Sequence, residues 1–224
     1  MKSVIFPEID IQALQDNQKN MFRIPVKPQW YELPFSNAEW SPDWQQRAFK
    51  DGPDYLHVPF TINGIEDGFA RIYPLYLPGE VIYVKEKFGL ISLRSGNSII
   101  GRPSPKGDEW NHFQIVYKAS MSDFEESFNY KWFSPIYLPE RFSRFRLKIL
   151  TARAEPVQEI TEENAVRKGF NAVEFGRYKF QDTKLAKSYF IQYWDTRYAH
   201  KPEYQWQKNP WTWVHRIERM KGER

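Results

Sequence analysis

Between residues 29 and 80 the chain is interrupted by turn signals every few residues, and this punctuation limits what it can build. WYELPF, SPDW, DGPD, NGIEDG and LPGE follow one another there, and Pro and Gly in such clusters stop helices and long strands alike. The runs that fit between them, Leu56–Ile62 and Phe69–Leu77, alternate as β-hairpin strands do. Aromatic residues interleave with the turns, so the segment reads as an elaboration on a core rather than a linker.

The flanking sequence supplies that core. Val4–Phe6 reads as a strand. A helix follows in IDIQALQDNQKN, where Ile11 and Leu14 share a face and Asp10 is placed to cap. Phe22–Val26 is a second strand, closed by Pro25 and Pro28. After Gly79, VIYVKEKF carries Val81 and Tyr83 on one face and Ile82 and Val84 on the other, the pattern of a well-buried strand. RSGNSIIGRPSPKGDEWN (94–111) is rich in Gly, Ser and Pro and reads as a mobile loop. His112–Ala119 is a strand, followed by an acidic patch at Asp123, Glu125 and Glu126. Phe145–Ala154 sets Phe145, Leu147 and Ile149 against Arg146 and Lys148, the clearest half-exposed strand in the chain.

Thr161 opens a helix with Glu162 and Glu163 in its first turn, Arg167 and Lys168 in its last, and Gly169 beyond. That order complements the helix dipole at both ends. A further helix runs from about Thr183 to Tyr198, with Leu185, Tyr189 and Tyr193 four apart, and WQKNPWTWVHRIERM closes the chain as a strand. The expectation is one β-rich α+β domain over 1–224.

Several chemistries are excluded. The absence of Cys removes disulfides, thiolate zinc sites and Cys nucleophiles. The four His (His57, His112, His200, His215) have no metal-ligand spacing, so no metal is expected. No dinucleotide, P-loop or nucleophile-elbow motif occurs, and no cofactor is implied. No apolar run is long enough for a membrane span or an export signal, which places the chain in the cytoplasm. With 32 basic against 28 acidic residues, a polyanion would need a local basic patch.

Four segments in order resemble a known family: LQDNQKNMFRIPVKPQW (14–30), LPGEVIYVKEKF (77–88), SPIYLPERFSRFRLKILTARAEPVQEITEENAVRKGF (134–170), and the Trp-Asp of 193–198 with WQKNPWTWV (206–214). Together they look like a phage-type ASCH protein. The resemblance implies a PUA-like fold, a small β-barrel with flanking helices, with family-variable insertions at about 31–76 and 89–133. It also implies a cleft that binds RNA, DNA or a nucleobase, and the host cell cytoplasm as the location of a phage product. Gly79, Glu86, Pro139, Asn209, Pro210 and Trp211 fall on the family's structural motif.

Some small ASCH enzymes hydrolyse the amide of acetylated cytidine with a Lys, a Thr three residues on, and a Glu at the end of a following helix. Residue by residue, the Lys falls on Lys19, the Thr on Phe22 and the Glu on Lys168. Phenylalanine has no hydroxyl to attack or relay a proton, and a second cation replaces the carboxylate. The reading is therefore a non-catalytic binder, with Lys19 as the one catalytic residue retained. Lys19, Arg23, Lys27 and Lys168 would form a cationic cleft for phosphate, with Phe22 as a stacking ring. Arg144 and Arg146 would extend it as a phosphate-tracking stripe. Two alternatives stand beside this one: an amidohydrolase with rearranged residues, and a phage factor blocking a host defence by protein contact through the aromatic segments 30–60 and 110–132.

Overall fold

The alternation in Phe145–Ala154 becomes the longest strand among the described residues. In the computed structural model, β10 (Arg146–Pro156) buries Leu147, Ile149 and Ala152 while Arg146 and Lys148 face solvent. The structure describes residues 1–27, 38–40, 49–50, 56–62, 65–96, 107–121, 130–170, 173–175, 178–180 and 185–220. Strand β10 is the middle of a five-stranded sheet with β1 (Lys2–Ile5), β2 (Met21–Pro25), β7 (Val81–Lys85) and β13 (Trp211–Arg219). Its order is β1-β7-β10-β13-β2. Strand β1 runs parallel to β7, pairing Lys2 with Ile82 and Ile5 with Lys85. Strand β2 runs antiparallel to β13, pairing Phe22 with His215 and Arg23 with Val214.

The fold is mixed α+β, as expected, with three α-helices among the described residues. The strands do not close into the small β-barrel that the resemblance implies. The five-stranded sheet is open, ending at β1 on one side and β2 on the other, and among the described residues no ladder joins those edges. The chain's contacts group into two compact units, one of 1–17, 81–147 and 219–224, the other of 18–80 and 148–218.

In the first unit, α1 (Glu8–Gln15) buries Ile11 and Leu14 as their spacing predicts. Pro7 stands at its N-cap instead of Asp10, which sits buried in the first turn. Strands β8 (Phe88–Ser92) and β9 (Phe113–Tyr117) make an antiparallel pair over a small core of Phe88, Leu90, Trp110, Phe133 and Leu138. Gly89 permits that packing: a Cβ there would lie 3.0 Å from Val116 Cγ2 and 3.5 Å from the Lys131 carbonyl. On β7 only one face is fully buried, Ile82 and Val84, with Val81, Tyr83 and Lys85 half-covered. Residues 97–106, most of the expected loop, and the acidic patch lie outside the described residues.

In the second unit, β5 (Leu56–Ile62) and β6 (Ile65–Ile72) form the expected hairpin, flanked by β3 (Ala38–Trp40) and β4 (Phe49–Lys50). Beyond Ile72 the chain leaves the ladder and bends at Leu75 and Tyr76, with Tyr73, Leu75 and Leu77 outward and Tyr76 inward. Helix α2 (Glu162–Arg167) begins at Thr161, whose hydroxyl accepts from the Asn164 amide at 3.2 Å. Strands β11 (Val173–Phe175) and β12 (Tyr178–Phe180) pair with each other. Helix α3 (Ala186–Arg197) packs on α2 through Ala186, Phe190 and Trp194. The buried row lies one residue past the one expected: Leu185 is 43% exposed, and Tyr189 and Tyr193 are half-buried. Both rows are apolar or aromatic, so sequence spacing alone could not choose the inward one.

Candidate functional site

The residues expected to line an open cleft are mostly interior. Lys19 follows α1 and is 4% exposed, and its Nζ donates to the Lys168 carbonyl at 3.0 Å. The backbone reinforces the junction: Asn20 N–H donates to Arg167 O at 3.0 Å and Ile217 N–H to Asn20 O at 2.9 Å. Lys19 and the last turn of α2 therefore do converge, through the Lys168 backbone. The Lys168 amine goes elsewhere. It is buried at the C-cap of α2, 4.3 Å from the Tyr193 ring centroid and 4.5 Å from that of Phe190, with Phe170 and Trp194 within 6 Å. A desolvated ammonium among four ring faces is held by their quadrupoles at about 2 kcal/mol or more. That cage takes the place of the expected phosphate contact.

Phe22 is 2% exposed and presents no ring to solvent. It stacks on His215 at 4.7 Å and 12° between planes, and Tyr76 meets both rings edge-on. His215 is fully buried, with Nε2 3.2 Å from the Tyr76 carbonyl. A carbonyl only accepts, so Nε2 carries the proton. Burial holds the His215 pKa down at about 4 despite the hydrogen bonds that oppose it. The expected stacking ring is thus the centre of an aromatic plug. The signal for it was the pairing of β2 with β13, which sequence periodicity does not give.

Arg23 points to the other side of β2. Its side chain has no solvent exposure, and Nη2 donates to Glu155 Oε1 on β10. Arg153 Nε donates to the other carboxylate oxygen at 2.9 Å. Sequence reasoning singled out neither Glu155 nor Arg153; both lie where β10 stops alternating. Lys27 and Arg146 are exposed.

Arg144 is not on the β10 stripe. It precedes the strand and clasps Glu86, with Nε to Oε1 at 2.9 Å and Nη2 to Oε2 at 2.5 Å. Its guanidinium lies 4.3 Å from the Tyr117 centroid, and Nη1 donates to Ser120 Oγ at 2.6 Å. Burial pushes the Glu86 carboxyl up, against the pull of Arg144. The remaining motif residues are structural. Gly79 turns at φ 88° and donates to Ile149 O at 2.8 Å. Asn209 adopts the left-handed conformation at φ 48° and accepts from the Gln158 amide. Pro210 accepts from Val157 N–H, Trp211 O from Val26 N–H, and Pro139 from Phe142 N–H.

Of the aromatic segments expected to make protein contact, residues 30–37, 41–48, 51–55 and 122–129 lie outside the described residues, while Trp110 is core. Among the described residues no His, Asp and Glu group could hold a metal ion, and no helix is long and apolar enough to cross a membrane.

A different surface combines rings with cations. Along α3 and the turn after it, Tyr189, Tyr193 and Trp206 are half-buried against the core. Lys187 Nζ lies 5.9 Å from the Trp206 ring, and Arg197 lies 6.0 Å from the Tyr193 ring, its Nη1 donating to Tyr193 Oη at 3.2 Å. Asp195 Oδ1 accepts from the Trp206 amide at 2.7 Å and fixes the turn. Lys201 is exposed just beyond.

Comparison with protein-family models, with curated proteins and with solved structures finds no match.

Proposed function

We propose that the chain is an ASCH-type, PUA-like module that binds single-stranded nucleic acid or a nucleobase without catalysing a reaction on it. The observation that carries this reading is the α3 surface, where half-buried Tyr193 and Trp206 alternate with Lys187, Arg197 and Lys201. Rings fixed by a core on one side and flanked by cations suit stacked bases and their phosphates, at about 1–3 kcal/mol per stacked base. The cleft expected from Lys19, Phe22 and Lys168 is not needed for it.

Binding of a labelled oligonucleotide should weaken as salt rises. Replacing Lys187, Arg197 and Lys201 by alanine together should reduce the slope of log K against log salt by about 2, at roughly 0.7 for each phosphate that a cation ceases to neutralise. Trp206→Ala should weaken binding at every salt concentration. Salt-independent binding, or none across a panel of RNA and DNA oligonucleotides, would sink the proposal. A stoichiometric host protein captured from nuclease-treated lysate in that case would favour the protein-contact reading.

The hydrolase alternative loses support from the same geometry. Position 22 offers no hydroxyl, Lys19 Nζ is spent on a backbone carbonyl, and the Lys168 amine is enclosed by rings. Incubation with N4-acetylcytidine is expected to release no acetate above the rate without protein. Turnover abolished by Lys19→Ala would reverse this conclusion.

A further inference from the structure

Three elements of the first unit bring polar side chains to one point at the surface. Ser120 is exposed in the turn that follows β9, and its Oγ accepts from two donors. Arg144 Nη1, from the segment before β10, reaches it at 2.6 Å, and Gln15 Nε2, at the end of α1, at 2.5 Å. With both lone pairs of Oγ taken, the hydroxyl keeps its own O–H to give. Serine, glutamine and arginine thus converge as donors.

Arg144 is held ready for this role. Glu86 takes Nε and Nη2, which form one edge of the guanidinium. The Tyr117 ring lies 4.3 Å from the guanidinium carbon, and its hydroxyl is fixed by donating to Phe142 O at 2.6 Å. Of the five N–H groups of an arginine, Glu86 and Ser120 use three, which leaves one on Nη1 and one on Nη2. The one on Nη2 points off the end of the plane, beside Nη1, where two oxygens of a single oxyanion fit a guanidinium fork. The Arg144 side chain is 25% exposed and Ser120 is at the surface, so this end is reached from solvent without a cavity.

Glu86 cancels the charge of Arg144, and a second guanidinium restores it. Arg219, exposed at the end of β13, lies 4.9 Å from the Phe145 ring centroid, and Arg144 lies 5.3 Å from the same centroid. Arg219 Nη1 donates to Leu14 O at 3.1 Å and to Asn17 Oδ1 at 3.4 Å, on either side of Gln15 along the chain. Among the described residues no carboxylate pairs with it, the exposed Asp16 included. The donors come from three elements rather than from one plane. A phosphoryl group, with three oxygens pointing in different directions, suits them better than a planar carboxylate.

We infer that Arg144, Gln15 and Ser120 form a surface site for the terminal phosphoryl group of a phosphate ester. Two of its oxygens take the end of the Arg144 guanidinium, and the third takes the Gln15 amide and the Ser120 hydroxyl. The site does not depend on the nucleic-acid reading, because none of the α3 surface residues takes part in it.

The experiment titrates the full 15N-labelled chain with inorganic phosphate, at constant ionic strength in chloride. The Gln15 side-chain amide and the Ser120 backbone amide resonances are followed, and both are expected to move saturably with one midpoint. Gln15→Leu, followed at Ser120, should raise that midpoint about tenfold, the loss of one hydrogen bond to a charged group. Ser120→Asp places a tethered carboxylate against Arg144, and should abolish the phosphate response while raising the thermal unfolding midpoint. Both variants keep Arg144, so Glu86 keeps its partner. Uridine 5′-monophosphate and a 5′-phosphorylated oligonucleotide, each against its dephosphorylated form, separate a free ester from a strand end by which moves the Ser120 resonance at the lower concentration. The proposal is overturned if phosphate leaves both resonances in place in the unaltered protein, or if either variant responds to phosphate as the unaltered protein does. Arg144, Gln15 and Ser120 would then be a structural network alone.

Discussion

Arg144→Ala is expected to destabilise the fold by about 3 kcal/mol, although Arg144 is itself partly at the surface. The cost comes from what is left behind. Glu86 is 1% exposed on its side chain, and both its oxygens are taken by Arg144. Removing the guanidinium leaves a carboxylate that must stay charged in a dry site or take up a proton. Burial already pushes its pKa up while Arg144 is present. Loss of Arg144 removes the opposing pull, so the remaining carboxyl should be protonated in the folded state. The stacking against Tyr117 and the bond to Ser120 Oγ disappear with it. Urea unfolding of Arg144→Ala, Glu86→Gln and the double variant checks this. In the double variant most of the loss should be recovered, because a neutral amide replaces the stranded charge. A single-variant loss under about 1 kcal/mol would show that the pair behaves like an ordinary surface ion pair.

The second large effect is on acid stability. His215 titrates near 6.5 when exposed and near 4 in the fold, where burial disfavours the imidazolium. Between these values the unfolded chain binds the proton more readily, so stability rises with pH across that window. The contribution is fully present above pH 6.5 and is lost as the pH falls to 4. Its full size is about 3.5 kcal/mol, from the fall of the pKa from 6.5 to about 4 at roughly 1.4 kcal/mol per tenfold change in proton affinity. Glu86, with a raised pKa, acts in the opposite sense in the same region, so the wild-type curve alone mixes the two. His215→Phe isolates the term. It keeps a flat ring against Phe22 but removes the proton site and the Nε2 bond to Tyr76 O. Unfolding free energies measured from pH 4 to 7 should differ between the two proteins by an amount that changes by about 3 kcal/mol across the range. A pH-independent difference would show that His215 is not held neutral by burial.

How legible the molecule was in its sequence depended on how local each signal was. Thr161 announced α2 because the cap, the acidic first turn and Gly169 all lie within ten residues, and the hydroxyl does bind the Asn164 amide. The β10 stripe was legible at Leu147 and Ile149 for the same reason. The site was not. Arg23 and Phe22 are adjacent, and alternation says only that they face opposite ways. Which way is closed by His215 and which by Glu155 depends on partners more than a hundred residues away in each case. The two buried lysines show a second limit. A lysine is almost always placed at the surface by composition alone. Only the arrangement of Phe170, Phe190, Tyr193 and Trp194 around position 168 makes the interior acceptable to it.

The strand order has a bearing on how the molecule forms. Strand β1 pairs with β7, and β2 pairs with β13, so neither edge of the central sheet has its partner nearby along the polypeptide. Closing such loops costs entropy before any ladder bond repays it, which slows assembly relative to local hairpins. During synthesis β2 would leave the ribosome with its hydrogen-bonding edge unsatisfied until β13 emerges, while β5–β6 and β8–β9 can zip up at once. Chaperone dependence would then fall on β2 and its neighbours, and shortening the chain before β13 would expose a sticky strand rather than trim a tail.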